Sequence, residues 1–317
     1  MIEKAFSVHG HFYQPPREDP ISGEIPLEPG ASPYRNWNER IHSQCYKPNA
    51  ELGNFEHISF DLGPTLVEWM REYDRETLAS IIEQDHRNFK HFGVGNAMAQ
   101  SYSHTILPLS TREEKITQIR WGIVDFEDTF SHKPSGIWLP ETAVDLETLE
   151  IAVDNGIEFT ILAPWQADTT ALDNSKPYKV NLGKNKSITV FFYDRPLSDD
   201  VSFHPDATAN ADVFAQTRLA PRFRQGKKQG SCPEIYVIAS DGEAYGHHQA
   251  FRDKFLNRLV NGAIEKQPFI ATFPGIWIKE YPAASEIRIR ENTSWSCHHG
   301  VKRWKEQCDC TPHAEWK

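Results

Sequence analysis

The chain has 317 residues, of which 39% are hydrophobic, a composition typical of a globular protein with one large domain or two ordinary ones. Its 34 basic and 44 acidic side chains give a formal charge of −10, which argues against nucleic acid or an anionic membrane as the main partner. Five cysteines do not indicate a disulfide scaffold, and no apolar run approaches the roughly 18–20 residues that cross a bilayer.

The amino-terminal residues indicate a cytoplasmic protein. Met1 to Lys4 lead directly into the apolar stretch 5–8, without the basic and hydrophobic regions of a signal peptide. An acidic surface is compatible with a neutral substrate such as a sugar. The 9 Trp, 10 Tyr and 14 His fit the same idea, because aromatic rings stack on sugars and imidazoles bind hydroxyls, although aromatic residues also fill large cores.

Apolar runs suited to buried strands alternate with segments of helical period. The alternation predicts an α/β fold with a parallel sheet covered by helices, and the number of strands favours a seven-stranded barrel over a short open sheet. The predicted strands are 5–11, 94–99, 136–139, 159–163, 188–193, 234–239 and 269–273. The predicted helices are 65–73, 75–89, 111–130, 146–155, 212–224 and 250–266. Ser110 or Thr111, with Glu113 and Glu114 behind it, supplies a cap for the third helix.

The segment 12–54 is rich in Pro, Asn and Gly and shows no period. A loop of that length is usually a lid or a substrate loop. We therefore expect this segment, together with residues 193–205, to control access to a site at the strand ends.

Three predicted strands stop abruptly at polar residues, and the first carries His9-Gly10-His11. The carboxyl ends of parallel strands line the active site in α/β folds. Residues two apart on a strand point the same way, so His9 and His11 form a pair. The pair is suited to a metal, to sugar hydroxyls or to two satisfied polar positions at a strand end.

The second strand runs through Trp138-Leu139-Pro140 to Glu141. A carboxylate at that position sits on a rigid element and can act as nucleophile or base. The alternative is an ordinary glutamate that is favoured by the dipole of the helix that follows.

The third strand ends in the densest polar cluster of the chain, Ser240-Asp241-Gly242-Glu243 followed by Tyr245 and His247. Glycines here permit tight turns of the backbone. A carboxyl that is partly desolvated at a strand end can act as a general acid, and Asp241 is the candidate.

Together these motifs resemble glycoside hydrolase family 57. His9–Pro15 is similar to the first motif of that family, although Phe12 and Tyr13 separate the histidines from Gln14-Pro15. The stretch 101–109, with His104 before Pro108-Leu109, is similar to the second motif. Trp138-Leu139-Pro140-Glu141 looks like the nucleophile motif, and Ser240-Asp241-Gly242-Glu243 looks like the acid/base motif.

The resemblance implies a retaining glycoside hydrolase or transglycosylase that acts on α-linked glucans from a (β/α)7 barrel. It implies that Glu141 attacks the anomeric carbon and that Asp241 protonates the leaving oxygen, which requires the two carboxyl groups to lie about 5–5.5 Å apart. It implies no cofactor and no catalytic metal. The residues expected to bind the sugar are His9, His11, His104 and His247, with Trp138, Tyr245 and Trp165 as stacking surfaces.

The residues after Pro282 resemble the opening of a C-terminal extension found in one subgroup of the family, with a Trp-Ser-Cys, His-Gly, Arg-Trp and Cys-x-Cys pattern. We therefore expect a catalytic barrel over 1–285 and the start of an extension over 286–317, which is cut short relative to that subgroup. Cys297, Cys308, Cys310 and a nearby histidine suit a structural zinc site. Their spacing matches no standard zinc module, which favours a reduced thiol cluster or a disulfide.

Two other functions fit the same residues. A metal-dependent polysaccharide deacetylase could recruit His9, His11 and Asp241 as ligands, but the first strand lacks the expected pair of aspartates or His-x-Asp. A catalytically silent sugar-binding protein is the other alternative, and the presence of both Glu141 and Asp241 argues against it. The sequence does not decide between hydrolysis, branching and glucan transfer, which share their first step.

Overall fold

Strands and helices alternate along the computed structural model, which describes residues 4–223 and 232–310. The ten strands of these residues are β1 Lys4–Phe12, β2 Ser59–Leu62, β3 Ala97–Gln100, β4 Gly136–Trp138, β5 Phe159–Leu162, β6 Tyr178–Gly183, β7 Lys186–Phe192, β8 Glu234–Asp241, β9 Ile270–Ala271 and β10 Glu286–Ile287. All seven predicted strands are present. The sequence did not predict β2, β6 or β10, which are short or belong to a hairpin.

The described α-helices are α1 Trp37–Ile41, α2 Lys47–Glu51, α3 Pro64–Tyr73, α4 Arg75–Phe92, α5 Arg112–Phe130, α6 Leu146–Asp154, α7 Arg195–Phe203, α8 Ala211–Phe214, α9 Arg252–Arg258 and α10 Pro274–Glu280. Within the described part of the chain, three π-helical turns cover His42–Tyr46, Ala215–Leu219 and Leu259–Ala263. The predicted helix 212–224 is therefore α8 continued by a π-turn and a 3₁₀ turn, and its last residue, Arg224, lies outside the described residues. None of the helices described is long and apolar enough to cross a membrane.

The cap predicted for the third helix is present at α5. The Thr111 side chain accepts a hydrogen bond from the Glu114 backbone N–H, and the Glu114 carboxylate accepts one from the Thr111 N–H. This reciprocal capping box satisfies two amide groups that the first helical turn would otherwise leave without partners. Local sequence thus fixes the start of α5.

The prediction of an unstructured loop over 12–54 is wrong for residues 37–51. This segment is helical throughout, as α1, a π-turn and α2 follow one another. The Asn36 side chain caps α1 by accepting from the Glu39 N–H at 2.9 Å. The π-turn shifts the angular spacing of side chains away from 3.6 residues per turn, which hides the helical period in the sequence. Most of the segment 193–205 is helix α7, whose start Asp194 caps by accepting from the Leu197 N–H at 3.0 Å.

The chain divides into two compact units, each formed by two stretches of sequence. The first unit comprises Met1–Ala97 with Asp194–Ile276, and the second comprises Met98–Tyr193 with Trp277–Lys317. Each unit contains its own strands and its own predicted site residues.

In the first unit, β1 lies between β2 and β8 and is parallel to both, and β9 also pairs with it in parallel. The register places His11 opposite Asp61 of β2 and opposite Asp241 of β8. Phe12, the last residue of β1, is buried, and its ring packs against that of Phe55 with centroids 5.1 Å apart. The parallel register therefore gathers polar side chains at the carboxyl ends of three strands.

In the second unit, β3, β4, β5 and β7 are neighbours in parallel, β6 pairs with β7 as an antiparallel hairpin, and β10 is parallel to β6. The core is aromatic here too, and the rings of Phe159 and Phe191 meet edge to face at 5.9 Å. The predicted α/β class with a mainly parallel sheet is confirmed, with the β6–β7 hairpin as the exception.

Candidate active site

A buried network of two histidines and one aspartate lies at the carboxyl end of β1 in the first unit. Nδ1 of His11 is 2.9 Å from one Asp61 oxygen, and Nε2 of His9 is 3.2 Å from the other. Nδ1 of His9 lies 3.0 Å from the Ser59 hydroxyl. With the His9 proton assigned to Nε2, this nitrogen donates to the Asp61 carboxylate and Nδ1 accepts from the Ser59 hydroxyl. Both ring nitrogens of His9 then have a hydrogen-bonding partner.

The charges of this network follow from burial and pairing. Burial alone would lower the pKa of His11, but the Asp61 carboxylate and the negative charges of Asp241 and Glu243 raise it to about 9. The pKa of His9 is lowered by burial. The pKa of Asp61 is lowered, because its two histidine partners outweigh the effect of burial. At neutral pH the network therefore holds an imidazolium at His11 next to the Asp61 carboxylate.

Asp241 is the last residue of β8, and its side chain is exposed. The next residue has to be glycine, because a Cβ on Gly242 would lie 2.3 Å from the Phe12 ring. Glu243 then turns into the interior, where its Oε1 accepts from the Tyr46 hydroxyl at 2.5 Å and from the Gln14 amide at 3.4 Å. Burial and the Asp241 charge raise the pKa of Glu243 to about 7.

The two other predicted residues of the first unit have different environments. Nδ1 of His247 lies 2.7 Å from the Gln44 side-chain oxygen, its ring is 6.0 Å from that of Trp37, and burial lowers its pKa. Tyr245 is only 1% exposed, so its ring is part of the core and offers no open stacking face. Burial raises the pKa of its hydroxyl.

In the second unit, Glu141 follows β4 on a 3₁₀ turn, Pro140–Thr142, with an unusual backbone. Glu141 and Thr142 both adopt left-handed conformations, with φ of 58° and 48°. Such values are uncommon outside glycine and are unfavourable for a β-branched residue such as threonine. Glu141 is half-buried and lies on this turn, whereas the following helix α6 begins only at Leu146, so Glu141 is not a helix-start glutamate.

Gln166 holds this turn in place. Its amide oxygen accepts from the Thr142 hydroxyl and from the Ala163 N–H, both at 2.8 Å, and its amide nitrogen donates to the Thr142 carbonyl at 2.7 Å. Gln166 is fully buried. A fully bonded, buried amide of this kind can stabilise a backbone conformation that costs on the order of 1–3 kcal/mol per residue.

The C-terminal segment contacts the Glu141 carboxylate directly. The indole Nε1–H of Trp295 donates to Oε2 of Glu141 at 3.2 Å, and the Ser296 hydroxyl donates to the same oxygen. The Trp295 N–H also donates to the Glu141 carbonyl at 3.0 Å. Trp295 packs edge to face on Trp138 at 5.0 Å. Both side-chain bonds end on the same oxygen of the carboxylate, Oε2.

The remaining predicted residues of the second unit are near this turn or in the core. Trp138 is completely buried under Trp295, so it offers no open face to a sugar. Trp165 is half-buried and its Nε1–H donates to the Ser294 carbonyl at 2.9 Å. His104 is half-buried and has a left-handed backbone with φ of 53°. Roles for these side chains in sugar binding remain predictions.

Sequence reasoning missed several residues of these two sites. Asp61 stands alone among apolar residues in Phe60-Asp61-Leu62, a signal that could have identified it. Trp295 and Ser296 were noted only as part of a tail pattern, because nothing local links them to a residue about 155 positions earlier. Tyr46 lay in a segment predicted to be a loop, and Gln166 had no distinguishing context.

Each unit thus presents a carboxylate at the end of a parallel strand, one beside a charged network and one on a hydrogen-bonded turn. Enzymes that cleave or transfer glycosidic bonds typically use two carboxylates. The sequence matches glycosyl hydrolase family 57 over residues 2–280, and the chain belongs to this family. Comparison with curated proteins found no significant match.

Solved structures of enzymes share the fold. A 4-alpha-glucanotransferase from Thermococcus litoralis is 16% identical with a TM-score of 0.71, over 93% of this chain and 43% of the other. An exo-type maltose-forming amylase from a Pyrococcus species is 17% identical with a TM-score of 0.77, over 97% and 55%. A branching enzyme from Pyrococcus horikoshii is 15% identical with a TM-score of 0.71, over 95% and 74%.

These likenesses confirm the predicted α/β fold of the (β/α)7 type. The chain spans about half the length of the first two structures, 43% and 55%. The family match ends at residue 280, so Trp295 and Ser296, which bind Glu141, lie beyond it.

Proposed function

We propose that the chain is the catalytic part of a retaining glycoside hydrolase or transglycosylase that acts on α-linked glucans. The family assignment supports this, as do the names of the structural neighbours, a glucanotransferase, a maltose-forming amylase and a branching enzyme. The observation that carries the proposal is the Glu141 carboxylate, held at one oxygen by two donors on a conformationally constrained turn. A nucleophile has to be oriented toward the carbon that it attacks.

In the proposed mechanism, Glu141 and Asp241 carry out a double displacement at the anomeric carbon. Asp241 donates its proton to the glycosidic oxygen while Oε1 of Glu141 attacks the anomeric carbon, so the leaving sugar departs with a new hydroxyl and the remaining sugar is esterified to Glu141. Asp241 then removes a proton from water or from an acceptor hydroxyl, which attacks the same carbon and releases Glu141. The charged His11–Asp61 pair and Glu243 set the electrostatic environment of Asp241.

The other predicted residues take supporting roles in this proposal. His104 and His247 bind sugar hydroxyls. His9 and His11 contribute to the sugar site from the carboxyl end of β1. The buried Trp138 and Tyr245 shape the walls behind the reacting groups, in place of the stacking faces that the sequence suggested. Residues 1–285 form the catalytic part, and the segment from 286 onward is an extension that completes the surroundings of Glu141.

We further propose that the protein works in the cytoplasm on a polymeric or oligomeric glucan. Five cysteines are an odd and small number for 317 residues, which supports a reducing compartment.

The nucleophile can be identified by covalent trapping. A 5-fluoro α-glucosyl fluoride should label wild-type protein once per chain, and mass spectrometry should place the sugar on the peptide that contains Glu141. The Glu141→Gln variant should show no label and a kcat at least about 10⁴-fold lower, because the attacking group is gone. Asp241→Asn should lose less activity on a substrate whose leaving group needs no proton.

The exposed Glu158→Gln in the same unit is the matched control, and it should keep wild-type kcat and labelling. Wild-type turnover in Glu141→Gln, or a label on another side chain, would overturn the assignment. Product analysis on amylose, glycogen and short malto-oligosaccharides then tells whether water or a sugar hydroxyl is the acceptor.

A further inference from the structure

Three cysteines and one histidine converge in the C-terminal part of the second unit. One donor atom from each of Cys297, His299, Cys308 and Cys310 lies within 4.8 Å of all the others. The Cys297 and Cys308 sulfurs are 3.4 Å apart. Nδ1 of His299 is 3.9 Å from the Cys297 sulfur, 3.1 Å from that of Cys308 and 3.5 Å from that of Cys310. The four atoms are therefore close enough together to share one metal ion.

These separations fit a tetrahedral zinc site. With Zn–S bonds of about 2.3 Å and a Zn–N bond of about 2.0 Å, tetrahedral geometry places sulfurs about 3.8 Å apart and a sulfur about 3.5 Å from the nitrogen. The distances from His299 scatter around the second value. Three cysteines and one histidine are a donor set that closed structural zinc sites use.

The surroundings of the cluster explain why a metal would be useful there. Residues 288–299 form no helix or extended strand, and the short 3₁₀ segment Gly300–Trp304 is the one helical element between His299 and Cys308. Cys297 is buried, whereas Cys308 and Cys310 are half-buried. Backbone hydrogen bonds already tie residues 292–295 to the strand-end turn, and a metal cross-link would fix the two ends of the segment 297–310 to each other.

A disulfide accounts for the cluster less well. A bond between any two of Cys297, Cys308 and Cys310 would leave the third thiol and the His299 ring nitrogen converging on it without a common function. Zinc uses all four donor atoms at once. It also explains why the imidazole is aimed into the group of sulfurs.

We propose that Cys297, His299, Cys308 and Cys310 bind one Zn²⁺ ion, and that this ion fixes the segment that holds Glu141. Binding releases three protons from the thiols, and His299 coordinates as neutral imidazole through Nδ1. The zinc lies in the C-terminal extension and takes no part in bond cleavage.

The proposed zinc ligand Cys297 directly follows a residue that binds Glu141. Cys297 follows Ser296 and Trp295 directly, and both of these donate to Oε2 of Glu141. The segment is also tied to the strand-end turn by backbone bonds between Val144 and its partners Thr293 and Asn292, at 3.1 and 2.7 Å. Trp295 and Ser296 are thus positioning residues whose own placement depends on the metal, and this step rests on the proposed role of Glu141.

Metal content tests the site independently of any activity. The 317-residue chain, prepared with zinc and then desalted, should retain one zinc ion per chain by elemental analysis. Replacement by Co²⁺ should give thiolate-to-cobalt charge-transfer absorption and the intense visible bands of a tetrahedral complex. A chain that retains no zinc and gives only the weak spectrum of octahedral Co²⁺ would overturn the proposal.

Single substitutions identify the ligands. Cys308→Ser, Cys310→Ser and His299→Ala should each weaken zinc binding by at least about 100-fold in competition with a chelator, because each removes a ligand. Cys232→Ser and His132→Ala are the controls, a cysteine and a histidine outside the cluster, whereas His298, with Nδ1 3.1 Å from the Cys310 sulfur, is the alternative ligand to test. Binding that survives His299→Ala but not His298→Ala would contradict the proposed ligand set.

The positioning role has its own measurement. Removal of zinc should slow covalent labelling of Glu141 by about 10-fold or more, and added zinc should restore the rate in wild type but not in Cys308→Ser. An unchanged labelling rate in zinc-free protein would refute the positioning role. Zinc binding with no labelling in any form would instead count against the proposed function and leave the metal site intact.

Discussion

The two candidate catalytic carboxylates, Asp241 and Glu141, differ in the groups that surround them. Asp241 in the first unit stands at a strand end beside charged groups, the buried Glu243 and the His11–Asp61 pair. Glu141 in the second unit is held by neutral donors, an indole and a hydroxyl, on a turn with two left-handed residues. An acid/base group must exchange a proton, whereas a nucleophile must point in one direction.

The comparison shows what each unit has to stabilise. The first unit buries ionised groups, which is unfavourable unless every charge finds a partner. The second unit holds its carboxylate on an unfavourable backbone, which Gln166 and the C-terminal segment stabilise. Mutations should therefore act through electrostatics in the first unit and through geometry in the second.

The largest expected effect tests the charged network. Asp61→Asn removes the partner of the His11 imidazolium and should lower the free energy of unfolding by about 3–5 kcal/mol at pH 6. The pKa of His11 is raised from 6.5 to about 9, so its stabilising effect is complete below pH 6.5 and is lost as the pH rises through 9. Chemical denaturation between pH 6 and 9.5 should show that loss in wild type and a flatter profile in Asp61→Asn.

The pair His42 and Asp74 in the same unit supplies the control, with nitrogen and oxygen 2.9 Å apart in a less buried place. Asp74→Asn should cost about 1 kcal/mol, because water replaces part of the lost interaction. Equal costs for the two aspartate substitutions would show that burial of the network does not govern its energy.

A second, smaller effect concerns Glu243. Its pKa is raised from 4.5 to about 7, so the folded state binds its proton more tightly than the unfolded chain does. Stability from this group is complete below pH 4.5 and falls as the pH rises to 7, by about 3 kcal/mol for a shift of this size. Glu243→Gln should remove that decline, so the variant should gain stability relative to wild type between pH 5 and 8.

Glu265→Gln, an exposed position in the same unit, should leave the pH dependence unchanged. The measurement is the denaturation midpoint at each pH with wild type in parallel. A decline between pH 5 and 7 that persists in Glu243→Gln would assign it to another group.

The strands and their polar ends could be predicted from one rule, that the carboxyl ends of parallel strands lie at the same edge of a sheet. Apolar runs that stop at His11, Glu141 and Asp241 located the strands and their polar ends, and the register of β1 with β8 places His11 opposite Asp241 as that rule requires. The capping box of α5 was equally visible, because all of its chemistry lies within four residues.

The rest depends on contacts that local sequence does not encode. The left-handed turn at Glu141 and Thr142 carries no glycine or asparagine to announce it, since its stability comes from Gln166 and from a segment about 150 residues later. The sequence did not predict the helical residues 37–51, because a π-turn interrupts their helical period. Asp61 lies in a four-residue strand that is too short for a pattern.

The smallest expected effect tests the geometry of the second unit. Trp295→Phe keeps an aromatic ring against Trp138 but removes the Nε1–H bond to Oε2 of Glu141. We expect kcat to fall about 10-fold, equivalent to about 1.4 kcal/mol of transition-state stabilisation, with KM and the free energy of unfolding nearly unchanged. Trp121→Phe, at an exposed position of the same unit, should change neither quantity.

A rise in KM at unchanged kcat would instead place Trp295 in substrate binding. The pH profile separates the two units further. Trp295→Phe should lower kcat equally at all pH values, because a neutral donor orients the carboxylate without titrating. Glu243→Gln should change the shape of the same profile, because it removes a group with a pKa of about 7 beside Asp241. If both variants changed only the height of the profile, the electrostatic account of the first unit would fail while the geometric account of the second would stand.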